Sequence, residues 1–132
     1  MARVVTEAEG KRLGLPGRSS VEIISAESGG KSVSLRLVEI APQIAGEKLR
    51  GPHVHHGFEE CIYVLSGEGL TESETGSHRL KPGDTILIPA EERHVTRNVG
   101  KEPLKLLCFF PTVDVRSGTE EFEAWEPART AT

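Results

Sequence analysis

Apolar residues in this chain come in short bursts with a period of two, broken by glycine, proline or clustered charge. SVEIIS (20–25) alternates and is rich in β-branched residues, and SVSLRLVEI (32–40) follows after the turn-forming SGGK. ECIYVLS (60–66), DTILIP (84–89), HVTRNV (94–99) and LKLLCFF (104–110) have the same character. Each run predicts a β-strand. The looser APQIAGEKLRGP (41–52) reads as a loop, and GEGL and ETGSHRLKPGD as hairpin connections. No segment sustains a helical period. Many short strands separated by turns predict an all-β sandwich or barrel.

The ends differ from the middle. Residues 1–18 mix charge with glycine and proline, and DVRSGTEEFEAWEPARTAT (114–132) is acidic and then poor in core-forming residues. Each end reads as a tail or as an edge strand that swaps onto a partner. A length of 132 residues fits a single domain spanning 1–132, with its core at about 20–112 and no repeat or linker. Hydrophobic residues at 36% and charged residues at 27% are ordinary for a globular chain. A net charge of -4 gives no electrostatic reason to expect nucleic acid or an anionic membrane as partner. No apolar run is long enough to cross a bilayer, and the polar opening MARVVTEAEGKR is unlike a signal peptide. Cys61 and Cys108 lie in strand candidates without metal-type spacing, so they read as free thiols of a cytoplasmic protein.

Candidate chemistry concentrates in GPHVHHGFEECIYVLSG (51–67), which holds three of the five histidines. His53 and His55 are two apart, so an extended backbone puts both imidazoles on one face and turns His56 away. Glu60 opens the next strand and can return a carboxylate to the same volume. His94 heads another strand and shares a face with Thr96 and Asn98. Imidazole and carboxylate suit borderline and hard divalent metals. His56 and His78 read as surface residues, and Glu59 as a solvated neighbour of Glu60 unless the register slips by one.

Taken together, the two segments resemble the paired signature motifs of the cupin family. His53-x-His55, four residues, Glu60, six residues and Gly67 match the first, although its leading glycine is replaced by Glu47, with Gly46 one residue early. Gly83, Pro89, His94 and Asn98 match the second, with Glu91 where the family often has glycine. The resemblance implies an all-β single-domain jelly roll, the double-stranded β-helix barrel, that holds one divalent metal through His53, His55, Glu60 and His94. It also implies a homodimer, for which the N-terminal segment or EEFEAW (120–125) is the expected interface. The ligand set does not choose among Fe, Mn, Ni, Zn and Cu.

Turn chemistry has its own readings. Gly67 and Gly69 are expected at positive φ, KPGD as a type II turn, and Pro89 at a strand end. Arg36 shares a face with Ser34, Val38 and Ile40, and is either an edge-exposed charge, the default, or an anion clamp inside the barrel. Thr96 and Asn98 are candidates for hydrogen bonds to the ligands, and Tyr63 belongs on the outer face. A six-coordinate ion with four protein ligands keeps two positions for small ligands. A charge of about +1 on the liganded ion favours a small anionic, oxygen-rich substrate. Dioxygenase-type chemistry is the first expectation. A non-redox isomerase, lyase or cyclase acting on a sugar or carbonyl compound is the alternative, and a binding or sensor module without catalysis is the third.

Overall fold

The computed structural model describes residues 1–125. Eleven strands run through them: β1 Lys11–Leu13, β2 Ser19–Ile24, β3 Ser34–Ile40, β4 His53–His55, β5 Glu60–Ser66, β6 Gly69–Ser73, β7 Gly76–Leu80, β8 Thr85–Ile88, β9 His94–Asn98, β10 Leu104–Phe110 and β11 Thr119–Glu121. One sheet has the order β1-β2-β3-β10-β5-β8 and the other β11-β4-β9-β6-β7, all pairs antiparallel. This is the all-β jelly roll expected. No helix among the described residues is long and apolar enough to cross a membrane.

Alternation along each strand decides what faces inward. On β10, Leu104, Leu106, Cys108 and Phe110 are buried, and on β5 Glu60, Ile62 and Val64. Together with Val38, Ile40, Leu80, Ile88 and Val115 the apolar members of these sets form the core. Each such side chain removed from water stabilises the fold by about 1.5–3 kcal/mol before entropy is counted. Because Val38, Ile40, Ile62 and Leu106 also line a cavity of about 680 Å³, the core is the floor on which the site stands.

The strand runs that alternate strongly are where expected; ECIYVLS and LKLLCFF match β5 and β10 end to end. Where GEGL and ETGSHRLKPGD read as hairpin connections, the structure has two further strands, β6 and β7, paired across a two-residue turn at Glu74 and Thr75. They lie at a sheet edge where one strand has almost no buried residue, so no apolar alternation marks it. Both chain ends supply edge strands to their own sheets: β1 pairs with β2 and β11 with β4. The segment 120–125 expected at a dimer interface packs within the protomer. Phe122 N–H donates to the Pro52 carbonyl at 2.9 Å, and the Arg93 guanidinium lies over the Phe122 and Trp125 rings at 5.6 and 5.9 Å.

Two glycines show different reasons for being glycine. Gly67 has φ of 90°, as its turn requires, and a Cβ there would meet the Pro103 carbonyl at 2.6 Å. Gly69, expected to share that conformation, is extended; a Cβ would press on Leu104 at 3.1 Å, so space and not backbone angle is what it supplies.

Candidate metal centre

His53 and His55 come from β4, His94 from the paired strand β9, and Glu60 from β5 of the opposite sheet, so the cluster joins the two layers of the barrel. His53 and His94 are direct register partners, with ring centroids 4.3 Å apart. One donor atom from each of the four residues lies within 4.8 Å of the others. His55 Nε2 is 3.1 Å and His94 Nε2 3.2 Å from the same oxygen, Glu60 Oε1. Metal–ligand bonds of about 2.1 Å place adjacent donors of an octahedral or tetrahedral ion roughly 3.0–3.4 Å apart, so these spacings already suit one.

Remote ring nitrogens set the tautomers. The Thr119 hydroxyl donates to the Val115 carbonyl at 2.7 Å and accepts from His55 Nδ1 at 2.8 Å. His94 Nδ1–H donates to the Glu92 carbonyl at 3.0 Å. With both Nδ1 atoms protonated, a neutral His55 or His94 turns its Nε2 lone pair toward the carboxylate, and either a proton on Nε2 or a divalent cation between the groups satisfies both sides. His53 Nδ1 is buried without a partner among the described residues, and His53 brings the fourth residue to a donor set that fits a divalent ion. Phe58 stacks on His55 at 5.2 Å and Phe110 meets it edge-on at 5.1 Å, which walls that ring from water.

Electrostatics inside the cluster are opposed. Burial pushes the Glu60 carboxyl up, but hydrogen bonds and charge from His55 and His94 outweigh it and hold the carboxyl well below its ordinary value. Burial likewise lowers His94, and Glu60 beside it more than reverses this. His53 is held well below an ordinary histidine by burial and then by His94, so it is neutral and ready to ligate. Burial, with Glu60 next to it, raises the Cys108 thiol well above its usual range, which keeps it protonated and a poor nucleophile.

Some expected neighbours play other parts. Thr96 is in the cavity wall, but its hydroxyl pairs with Thr71 at 2.7 Å. Asn98 is a structural lock: its amide donates to the Ile40 and Glu102 carbonyls at 2.9 and 2.7 Å, and its oxygen accepts from Gly100 N–H at 2.8 Å. Arg36, by default read as exposed, turns inward; its side chain is 12% exposed, its Nε donates to Glu22 at 2.8 Å, and its guanidinium lies over Phe110 at 5.2 Å. The Arg36–Glu22 pair neutralises what would otherwise be a buried charge. Thr119 and the Glu92 carbonyl, which orient the ligands, were not found by sequence reasoning. Thr119 carries no local signal in GTEE, and the second contact is made by backbone.

Glu91, where a glycine is usual, has φ of 67° and is the single non-glycine residue with positive φ among the described residues. A left-handed conformation costs a side chain of this kind about 1–2 kcal/mol. Here the carboxylate is put to use: it accepts from Gly57 N–H at 2.6 Å and meets His56 Nδ1 at 2.6 Å, while the Glu91 N–H donates to the His55 carbonyl at 2.9 Å. His56 is thereby tied into a rim outside the cluster, and His78, on β7, is exposed and remote from it.

Residues 36–110 match the model of the cupin domain, and the chain belongs to that family. It is 37% identical over 78 residues to an uncharacterised protein of Methanocaldococcus jannaschii and 31% identical over 88 residues to SchB of Streptomyces halstedii. These alignments cover 59% and 63% of this chain, and 61% and 63% of the relatives, so it spans under two thirds of either. Among solved structures, the fold is that of the nucleoside dehydratase Pac13 from Streptomyces, with a TM-score of 0.76 at 11% identity and full coverage of both chains. The polyketide cyclase RemF from Streptomyces resistomycificus gives 0.72 at 22% identity, over 97% of this chain and 90% of that one. A putative sugar phosphate isomerase from Acidithiobacillus ferrooxidans gives 0.62 at 29% identity, over 84% and 76%.

Proposed function

We propose that the chain is a metal-dependent enzyme in which His53, His55, Glu60 and His94 hold one divalent ion, and that it catalyses a non-redox isomerase, lyase or cyclase reaction on a small, oxygen-rich, anionic substrate. The observation that carries this reading is the placement of the four donors in a cavity of about 680 Å³ whose wall also holds Arg18, Arg36 and Arg50. That volume admits a small metabolite. Arg50, which forms no ion pair among the described residues, gives that wall a cation that draws in an anionic carbonyl or hydroxy compound in preference to an apolar one. When bound, the ion supplies Lewis-acid polarisation of a substrate oxygen. Thr119 and the Glu92 carbonyl hold the imidazoles in their ligating tautomers, Phe58 and Phe110 shield His55 from solvent, and the protonated Cys108 thiol takes no nucleophilic part. The name of the Acidithiobacillus relative, a putative sugar phosphate isomerase, supports this chemical class.

The decisive experiment combines elemental analysis of protein purified without a metal-binding tag with turnover of a panel of small hydroxy and oxo acids and aldoses, in air and under anaerobic conditions. Bound metal with equal turnover in both atmospheres is the expected result. Stoichiometric oxygen consumption would instead establish the dioxygenase reading, and binding without turnover the sensor reading.

The same proposal includes a homodimer. Because the terminal segments are used within the protomer, its interface moves to the outer face of the six-stranded sheet. There Tyr63, Leu65, Leu87 and Phe109 are 41%, 45%, 57% and 39% exposed. Lys105 and Glu39, 3.7 Å apart on the same sheet, supply both signs of charge for a two-fold contact. Light scattering is expected to give a dimer for the wild type and a monomer for Leu87→Glu; a monomeric wild type at micromolar concentration contradicts it.

A further inference from the structure

The cavity wall holds polar atoms that the described residues leave unsatisfied. Among the described residues, Ser20 Oγ, His53 Nδ1 and Arg50 Nη1 are all buried without a partner, and all three residues line the cavity that contains the cluster. Burying a donor without a partner costs stability, most of all when the group is charged.

Arg50 differs from the two other partly buried arginines of that wall, Arg18 and Arg36. Arg36 is paired with Glu22 and covers Phe110. Arg18 is used twice, by the Pro16 carbonyl at 2.7 Å and by Glu121 at 3.3 Å. Arg50 forms no ion pair among the described residues; its Nη2 donates to the Thr96 carbonyl at 2.8 Å, two residues along β9 from His94, and Nη1 is left over. Its stem is clamped as well. Gly17, at φ of 71°, passes so close that a Cβ there would lie 3.0 Å from Arg50 Cδ. Burial, reinforced by Arg18, lowers the guanidinium to about 10, and it stays a cation at neutral pH. A rigidly held, half-buried guanidinium whose Nη1 has no partner among the described residues is built for an anion.

We propose that Arg50 Nη1 binds a carboxylate group of the substrate, which makes the substrate class a small carboxylic acid with its remaining oxygen functions toward the histidine–glutamate cluster. This rests on the cluster being the reaction centre. Carboxylate is favoured over phosphate because Arg18 and Arg36 are already paired with Glu121 and Glu22, so the Arg50 cation balances the one charge of a carboxylate group and not the two of a phosphate dianion.

The test is calorimetric titration of the full chain with malonate, with its neutral diamide malonamide and with inorganic phosphate, alongside the metal content of each sample. Wild type and His78→Ala are expected to bind malonate equally, and Arg50→Gln about tenfold or more weakly. Arg50→Lys, which keeps the charge but not the fork, should fall between them at unchanged metal content; it also serves if Arg50→Gln does not fold. Malonamide should bind far more weakly than malonate. Arg50 variants that match wild type, malonamide that binds as well as malonate, or phosphate that binds more tightly would each overturn the carboxylate assignment. Loss of malonate binding in Arg50 variants of a protein that holds no metal would leave Arg50 standing and remove the metal-enzyme reading.

Discussion

His55 and His56 are neighbours in the chain, and each meets glutamate within about 3 Å, yet they belong to different chemistry. His55 is 3% exposed and shares the buried Glu60 with His94. The His56 side chain is 50% exposed and sits between Glu91 at 2.6 Å and Glu120 at 3.1 Å. The partition falls at the end of β4: His55, its last residue, faces the interior, and His56, the next residue, turns to the rim. Inside, burial strips water from three imidazoles and one carboxylate, and a divalent cation is the natural partner. At the rim, His56 is half exposed and a proton serves the same purpose: its hydrogen bonds to Glu91 and Glu120 raise its pKa. Residue type is shared by the two regions, and desolvation decides the role.

The largest effect should come from the inner carboxylate. Glu60→Gln leaves His94 buried without its counter-charge, and in metal-free protein it should cost about 3 kcal/mol in chemical denaturation. The matching rim change, Glu120→Gln, should stay within about 0.5 kcal/mol. Equal effects would erase the distinction between the two regions.

A smaller effect concerns the strained rim residue. Glu91→Ala keeps the left-handed backbone and loses the carboxylate, whereas Glu91→Gly loses the carboxylate and relieves the backbone. The glycine variant should therefore be more stable than the alanine variant by about 1 kcal/mol in denaturation curves. An alanine variant as stable as the glycine one would mean that the φ of 67° is not costly here.

Legibility in the sequence follows the same line between inside and outside. His53, His55, Glu60 and His94 could be read because pleat spacing and motif spacing both select them. Strands β5 and β10 could be read because their inward positions are apolar. Thr119 could not, since it reaches His55 from 64 residues away and no local pattern records that distance. Arg50 sits in a loop three residues before His53, where charge is ordinary, and only the fold shows that its stem is buried against Gly17. The inward turn of Arg36 depended on Glu22, whose carboxylate comes from the neighbouring strand β2.

The smallest effect is a dependence on pH at the rim. The raised pKa of His56 means its stabilising contribution is complete below its unfolded value of roughly 6.5 and lost as pH rises through the folded value. Glu91 is lowered by its hydrogen bonds from His56 and Gly57, so its contribution is present above about 4.5 and lost as pH falls through the folded value. The melting-temperature gap between wild type and His56→Ala should be widest at about pH 5–6 and narrow toward both pH 3 and pH 9. A gap that widens steadily with pH would show the sign to be wrong.

The account depends most on which histidines hold an ion. Elemental analysis of the purified wild type, His94→Ala and His56→Ala proteins, each confirmed as folded, addresses this directly. About one divalent ion per chain is expected in the wild type and in His56→Ala, and a loss of most of it in His94→Ala. Full metal content in His94→Ala, or loss in His56→Ala, would contradict the assignment of the inner cluster as the metal centre.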